Sequence, residues 1–158
     1  LIDFFMDKEV KEERNWILAS ALGLGLVILL IFLSAVLLDA LFGAQDANNL
    51  VLKEMLSSGN ATKCACVLVY CVVTPLLEET VYRGFLLTSL ASTMSWQKAV
   101  LLSSAVFSAA HFSVGNFPQL FIIGYVLGGC YCWTGKLRSS FAVHSLYNAV
   151  TLIISSLS

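Results

Sequence analysis

The run ILASALGLGLVILLIFLSAVLLDALF, residues 17–42, carries a single ionisable side chain, Asp39. About 20 consecutive apolar residues cross the hydrocarbon core of a bilayer, where backbone N–H and C=O groups must pair within the segment. The stretch is therefore a membrane-spanning helix, and the rest of the chain has to fold beside it. Four more apolar runs follow, at 64–90, 99–112, 118–133 and 141–157. The run at 99–112 rises only about 20 Å as a helix and is short for a span. Pro118 suits a helix start, and Pro75, inside the second run, predicts a kink. The expected fold class is an all-α, polytopic transmembrane helical bundle of about five spans.

Composition agrees. The chain is 58% hydrophobic and 12% charged, with a mean hydropathy of +0.85, whereas soluble domains are about a quarter charged. A net charge of -1 with nine dispersed Lys and Arg leaves no basic patch for nucleic acid. The charged opening DFFMDKEVKEERNW reads as a membrane-surface helix ending at the interfacial Trp16. Residues 43–63 read as a polar loop with a short amphipathic piece at LVLKEML. With five spans, Lys8, Lys11, Arg14, Lys98, Lys136 and Arg138 fall on one side and Lys53 and Lys63 on the other. The positive-inside rule then places the N-terminus on the cytoplasmic or stromal face and the C-terminus opposite. The five cysteines, paired as Cys64/Cys66 and Cys130/Cys132 with Cys71 alone, lie in apolar runs and read as small packing residues.

Against this background the polar residues inside the spans are conspicuous, because ionisable groups at bilayer depth are costly and mark protein interiors or wet cavities. The second run holds TPLLEETVYRGFL, with Glu78, Glu79 and Arg83; both histidines of the chain, His111 in VFSAAHF and His144 in FAVHSLYNA, lie in later runs, and Asn148 follows His144 by four. Glu79 and Arg83 are spaced for an intrahelical ion pair, which alone accounts for both. Glu78 lies about 100° around the helix, with only Tyr82 at helical spacing, and needs a partner from another helix or a water. Glu78 and His111 each come out roughly 18 Å from the surface their helices share, so they are expected to meet. His144 and Asn148 come out shallower, at roughly 8 to 14 Å, so tilt or a later helix start must close the gap.

A carboxylate and an imidazole sharing a water form a general base, and a second imidazole with an amide can stabilise an oxyanion. Read together, the cluster hydrolyses a peptide bond. Each residue alone also has a structural reading: Glu79/Arg83 as an interhelical lock, His111 as a core histidine bonded to a carbonyl, Asn148 as interhelical glue. A zinc site would have to be assembled from three helices, since no His-Glu-x-x-His is present, and no cofactor is expected.

Glu78-Glu79-x-x-x-Arg83, Phe107-x-x-x-His111 and His144-x-x-x-Asn148, in that order on successive runs, resemble the three motifs of the CPBP family of intramembrane proteases, also called Abi or type II CAAX prenyl endopeptidase-like. The resemblance covers residues 64–157. It divides the chain into 1–63, comprising the surface segment, first span and loop, and 64–158, the CPBP/Abi-like catalytic core.

The resemblance implies that Glu78 and His111 activate a water, that His144 and Asn148 form the oxyanion-stabilising pair, and that Glu79 and Arg83 support the site. It implies a metal-free, glutamate-activated reaction on a membrane-embedded or lipidated polypeptide. The HSLYNA form of the third motif and FPQLFIIGYVLGGCYCWTGKL are most similar to plant plastid and cyanobacterial members, which points to a chloroplast thylakoid or other plastid membrane. Some members act instead as non-proteolytic scaffolds or regulators of membrane-protein partners, for example in plastid chlorophyll metabolism. For that alternative Gly124, Gly128 and Gly129 are the contact face. A proton-coupled transporter built on Glu78 and His111 is disfavoured by the absence of an inverted repeat.

Overall fold

The computed structural model describes residues 15–42 and 59–157, and the surface segment and the LVLKEML piece expected from the sequence lie outside them. Among the described residues there are five helices and no strand: α1 (Trp16–Phe42), α2 (Asn60–Ala91), α3 (Trp96–Ala109), α4 (Phe117–Thr134) and α5 (Leu137–Leu157). α1, over Trp16–Leu37, and α2 are long and apolar enough to cross a membrane. α3, at 14 residues, spans about 21 Å and is shorter than a hydrocarbon core.

Two helices start a full turn earlier than in the sequence reading. α2 begins at Asn60, inside the stretch read as loop, and α5 begins at Leu137 rather than Phe141. Both extra turns carry polar residues (Asn60, Thr62, Lys63; Arg138, Ser139, Ser140), which lower local hydropathy without opposing helix formation. α2 meets Pro75 without a break. Val69–Val73 is π-helical, and the dihedrals stay helical through Val73 (φ -66, ψ -51) and Thr74 (φ -62, ψ -51). A proline ring crowds the carbonyl four residues back and has no N–H to offer, and a π turn widens the helix where that crowding falls. A second π-helical segment, Thr80–Leu87, follows the two glutamates.

α3 and α4 pack as a close hairpin. Cβ atoms on Gly124 would come 3.2 Å from Ser104 and on Gly128 3.0 Å from Val100, so both glycines are there to let the helices touch. Two of the three glycines assigned to a partner-binding face are thus occupied inside the molecule, and only Gly129 has open space before it. α1 covers α4 and α5 through Val27, packed with Ile123, Val126, Leu127, Cys130 and Val143. Four cysteines are buried packing residues as expected, and Cys64 is exposed. Gly135, at φ 65, closes α4 by donating its N–H to the Tyr131 carbonyl at 2.7 Å and turns the chain into α5.

Candidate active site

Glu79 and Arg83, one turn apart on α2, are wholly buried and paired, Arg83 Nη1 donating to Glu79 Oε1 at 2.7 Å. Arg83 Nη2 also donates to the Gly124 carbonyl at 3.1 Å, and the guanidinium lies 4.7 Å from the centre of the Phe107 ring. From α5, His144 Nδ1 donates to the same Glu79 oxygen at 2.9 Å. Short charge-assisted bonds thus tie α2, α4 and α5 at one point.

Glu78 faces the other way, into a cavity of about 580 Å³. Its Oε1 lies 3.9 Å from His111 Nε2 and its Oε2 3.6 Å from His144 Nε2. Both distances exceed a direct hydrogen bond and suit a bridging water. The orientation of each ring follows from its other nitrogen. His111 Nδ1 contacts the Phe107 carbonyl at 2.8 Å, and a carbonyl only accepts, so the proton sits on Nδ1 and the neutral ring offers Nε2 as a lone pair toward Glu78. His144, whose Nδ1 proton goes to Glu79, likewise turns Nε2 to Glu78.

His111 does not ride on α3 as the motif spacing implied. The helix ends at Ala109, and His111 sits in the turn beyond it, before Phe112 at a left-handed φ of 50. The bond back to Phe107 holds the ring over the site. The later helix start invoked to level His144 with Glu78 is not found, since α5 starts early. The depth of Glu78 changes instead: eight of the residues between it and Leu90 are π-helical, and a wider turn places more residues in each rise, so Glu78 lies shallower than α-helical counting gives.

Asn148 lines the cavity, and its Nδ2 donates to the Tyr70 carbonyl at 2.9 Å. In the π turn, Thr74 N–H bonds the Val69 carbonyl, five residues back. By the same pattern the next N–H would serve Tyr70, but the next residue is Pro75, which has none. Asn148 therefore supplies the donor that the proline withholds.

Sequence reasoning missed two further features. Phe107 is the aromatic centre of the site: its ring meets Tyr82 at 5.1 Å, His111 at 4.7 Å and His144 at 6.0 Å between centroids. The four-residue spacing to His111 was its visible signal. On the cavity wall Gln119 Nε2 donates to Tyr147 Oη at 2.8 Å, a pairing across α4 and α5 with no local signature.

A helical bundle with a sealed ion pair behind a carboxylate that stands between two imidazoles in a cavity defines the class, a helical integral membrane protein. The sequence profile of the type II CAAX prenyl endopeptidase Rce1-like family matches residues 60–150, more than half of the chain, and the chain belongs to that family. The matched stretch begins at the first residue of α2 and contains Glu78, Glu79, Arg83, His111, His144 and Asn148. No curated protein and no solved structure matches the chain.

Proposed function

We propose that the chain is an intramembrane endopeptidase that hydrolyses a membrane-embedded or lipidated polypeptide with a water activated by Glu78 and His111. The observation that carries this reading is the Glu78 carboxylate facing His111 Nε2 across 3.9 Å inside a cavity. A water there donates one hydrogen to Glu78 and the other to Nε2. Glu78 takes the proton as the water oxygen attacks the peptide carbonyl carbon, and the carbonyl oxygen becomes negative. The second amide hydrogen of Asn148 donates to that oxygen, and so does His144 Nε2 when it carries a proton. Collapse breaks the C–N bond, and the leaving amine receives the proton held by Glu78.

No step of the proposed reaction passes through a metal. The proposal is metal-free in that the space between Glu78, His111 and His144 is given to a water. Glu79 and Arg83 act as support. A plastid or thylakoid location belongs to the same proposal and is supported by the form of the third motif, and the cytoplasmic or stromal N-terminus is supported by the six basic residues on that side against two.

The test needs no known substrate. The gene is deleted in its source organism and restored as wild type or as Glu78→Gln, with protein levels checked by blot. The expected result is a variant that accumulates and fails to rescue. Full rescue would replace the protease reading with the scaffold or regulator of partner proteins. One feature favours that second reading, an apolar groove of about 240 Å³ between α1 and α4 that includes Leu22, Leu26, Tyr125, Gly129 and Trp133.

A further inference from the structure

Polar groups within a membrane bundle are met by the fold, by water or by a ligand, since lipid offers no partner. Thr151, on the cavity wall, spends its hydroxyl on the Asn148 carbonyl of its own helix at 2.9 Å. Gln119 and Tyr147 behave differently. Among the described residues the one side-chain hydrogen bond of either is to the other, Gln119 Nε2 donating to Tyr147 Oη at 2.8 Å. Tyr147 thereby accepts a hydrogen and keeps its own, and Gln119 gives one hydrogen and keeps its carbonyl oxygen Oε1. One O–H donor and one carbonyl acceptor are left unspent beside the cavity of about 580 Å³ that both residues line. With the Gln119 amide turned over, donor and acceptor change places and the pair still offers one of each.

The pair is held in place by packing. The Tyr147 ring lies against the cluster that includes Val27, Ile123 and Val143, and Val143 is one turn earlier on α5. Ile123, one turn after Gln119 on α4, belongs to that cluster and also borders the cavity. The contacts that join α4 to α5 therefore fix the phenol as well, with its apolar body in the protein and its polar tip at the cavity. A bond that served only to tie the two helices would need neither the leftover donor nor the leftover acceptor, and it would be stronger away from the cavity.

The pair stands close to the proposed reaction. On α5, Tyr147 follows His144 by three residues, a rise of about 4.5 Å. On α4, Gln119 precedes Gly124, whose carbonyl holds Arg83, by five residues, a rise of about 7.5 Å. An extended polypeptide advances about 3.3 Å per residue, so the pair lies about two residues along a chain whose reacting bond faces Glu78. A donor beside an acceptor matches one residue of such a chain. In extended conformation the N–H and C=O of a single residue face the same way, which is how opposite residues of antiparallel strands exchange both bonds. A helix spends those groups on itself.

We infer that Gln119 and Tyr147 form a main-chain subsite of the cavity, Tyr147 donating to the carbonyl of one extended residue of a bound polypeptide and Gln119 Oε1 accepting from its N–H. That the bound chain is a substrate rests on the proposed protease activity. The subsite reads backbone, so it tolerates any side chain at that residue except proline, which has no N–H to give.

The test measures binding and needs no cleavage. The probe is a fluorescent pool of dodecapeptides of alanine, leucine and serine in random order. Its counterpart is the same pool with ester linkages, which keeps the side chains and carbonyls and has no N–H. Both are titrated by fluorescence anisotropy against protein in lipid nanodiscs, with empty nanodiscs as the blank. Every protein carries Glu78→Gln so that no probe is consumed. A neutral hydrogen bond changes affinity about 3- to 10-fold, so the ratio of ester Kd to amide Kd should fall by that factor when Gln119→Leu removes the acceptor. Tyr147→Phe keeps the packed ring and should lower the same ratio, because it removes the bond that aims Gln119. A mere tie between helices would move the unfolding temperature, or both Kd values together, and leave the ratio where it was. An unchanged ratio therefore overturns the subsite, and so does an amide pool that does not bind. Tyr147→Phe decides if Gln119→Leu fails to accumulate. Failure of the protease reading shows separately, as rescue of the deletion strain by Glu78→Gln while the ratio still depends on Gln119 and Tyr147.

Discussion

Across one peptide bond the two sides of the site part company. Glu79 is fully buried, its Oε1 held by Arg83 at 2.7 Å and His144 at 2.9 Å, and the guanidinium is fixed in turn by the Gly124 carbonyl. Glu78 is 23% exposed, and the imidazoles of His144 and His111 stand 3.6 and 3.9 Å from it. The step of about 100° along the helix turns one carboxylate into the protein and the other into the cavity. On the Glu79 side short bonds hold the pair within α2 and join it to α4 and α5, and on the Glu78 side the longer gaps leave room for a third molecule. His144 belongs to both sides, one nitrogen on each glutamate.

The largest contrast comes from removing the carboxylate on one side and the ion-pair partner on the other. Glu78→Gln keeps the shape and removes the base, so turnover is expected to fall about 10²–10⁴-fold, the range for a general base, while the protein accumulates normally. Cleavage of whichever precursor builds up in the deletion strain is the readout. On the Glu79 side the loss should be of stability. Arg83→Met leaves a buried carboxylate without its main partner, a change that costs about 3–5 kcal/mol, and thermal unfolding in detergent should detect it. A destabilised Glu78→Gln beside a stable Arg83→Met would reverse the comparison.

The helices were legible because lipid demands long apolar stretches, and the five runs became five helices. Their ends were less so. The first turns of α2 and α5 are polar where they leave the apolar layer, and hydropathy undercounts such turns. The Glu79–Arg83 pair could be read from four-residue spacing, and the approach of Glu78 to His111 from depth. The bond from His144 to Glu79 could not, since nothing local says which face of α5 meets α2. Counting 1.5 Å per residue failed through Thr80–Leu87, because a π segment has no strong sequence mark. Pro75 was a missed clue: a proline inside a span always leaves a carbonyl in need of a donor.

The hairpin behind the sealed side gives a smaller test. Gly124→Ala puts a methyl 3.2 Å from the Ser104 backbone and would push α4, whose Gly124 carbonyl holds Arg83, off α3. Overpacking of this kind costs about 1–3 kcal/mol, whereas Gly129→Ala meets open space and should cost almost nothing in unfolding. A bulky residue at Gly128 damages folding before it can report on partner binding, because Val100 already fills the space. Gly129 is the position at which a scaffold role separates from packing, and equal losses at Gly124 and Gly129 would mean that the hairpin is not what locks the Glu79 side.

The smallest effect decides on which side Asn148 belongs. Its amide bonds the Tyr70 carbonyl that Pro75 leaves free, and it also borders the cavity. An interhelical hydrogen bond in a membrane protein contributes about 0.6 kcal/mol and at most about 1.7, so Asn148→Ala should lower stability by that much. Pro75→Ala restores an N–H within reach of Tyr70, after which the Asn148 donor is redundant. In that background the stability cost of Asn148→Ala should vanish, and general effects of losing the proline ring cancel in the double-mutant cycle. Activity in the same four proteins reads the other role. If Asn148 also donates to the oxyanion, Asn148→Ala lowers turnover equally with Pro75 in place and in the Pro75→Ala background, because no backbone N–H at that position can reach the reacting carbonyl. If turnover recovers together with stability, Asn148 acts by holding α2 against α5, and the oxyanion is left to His144.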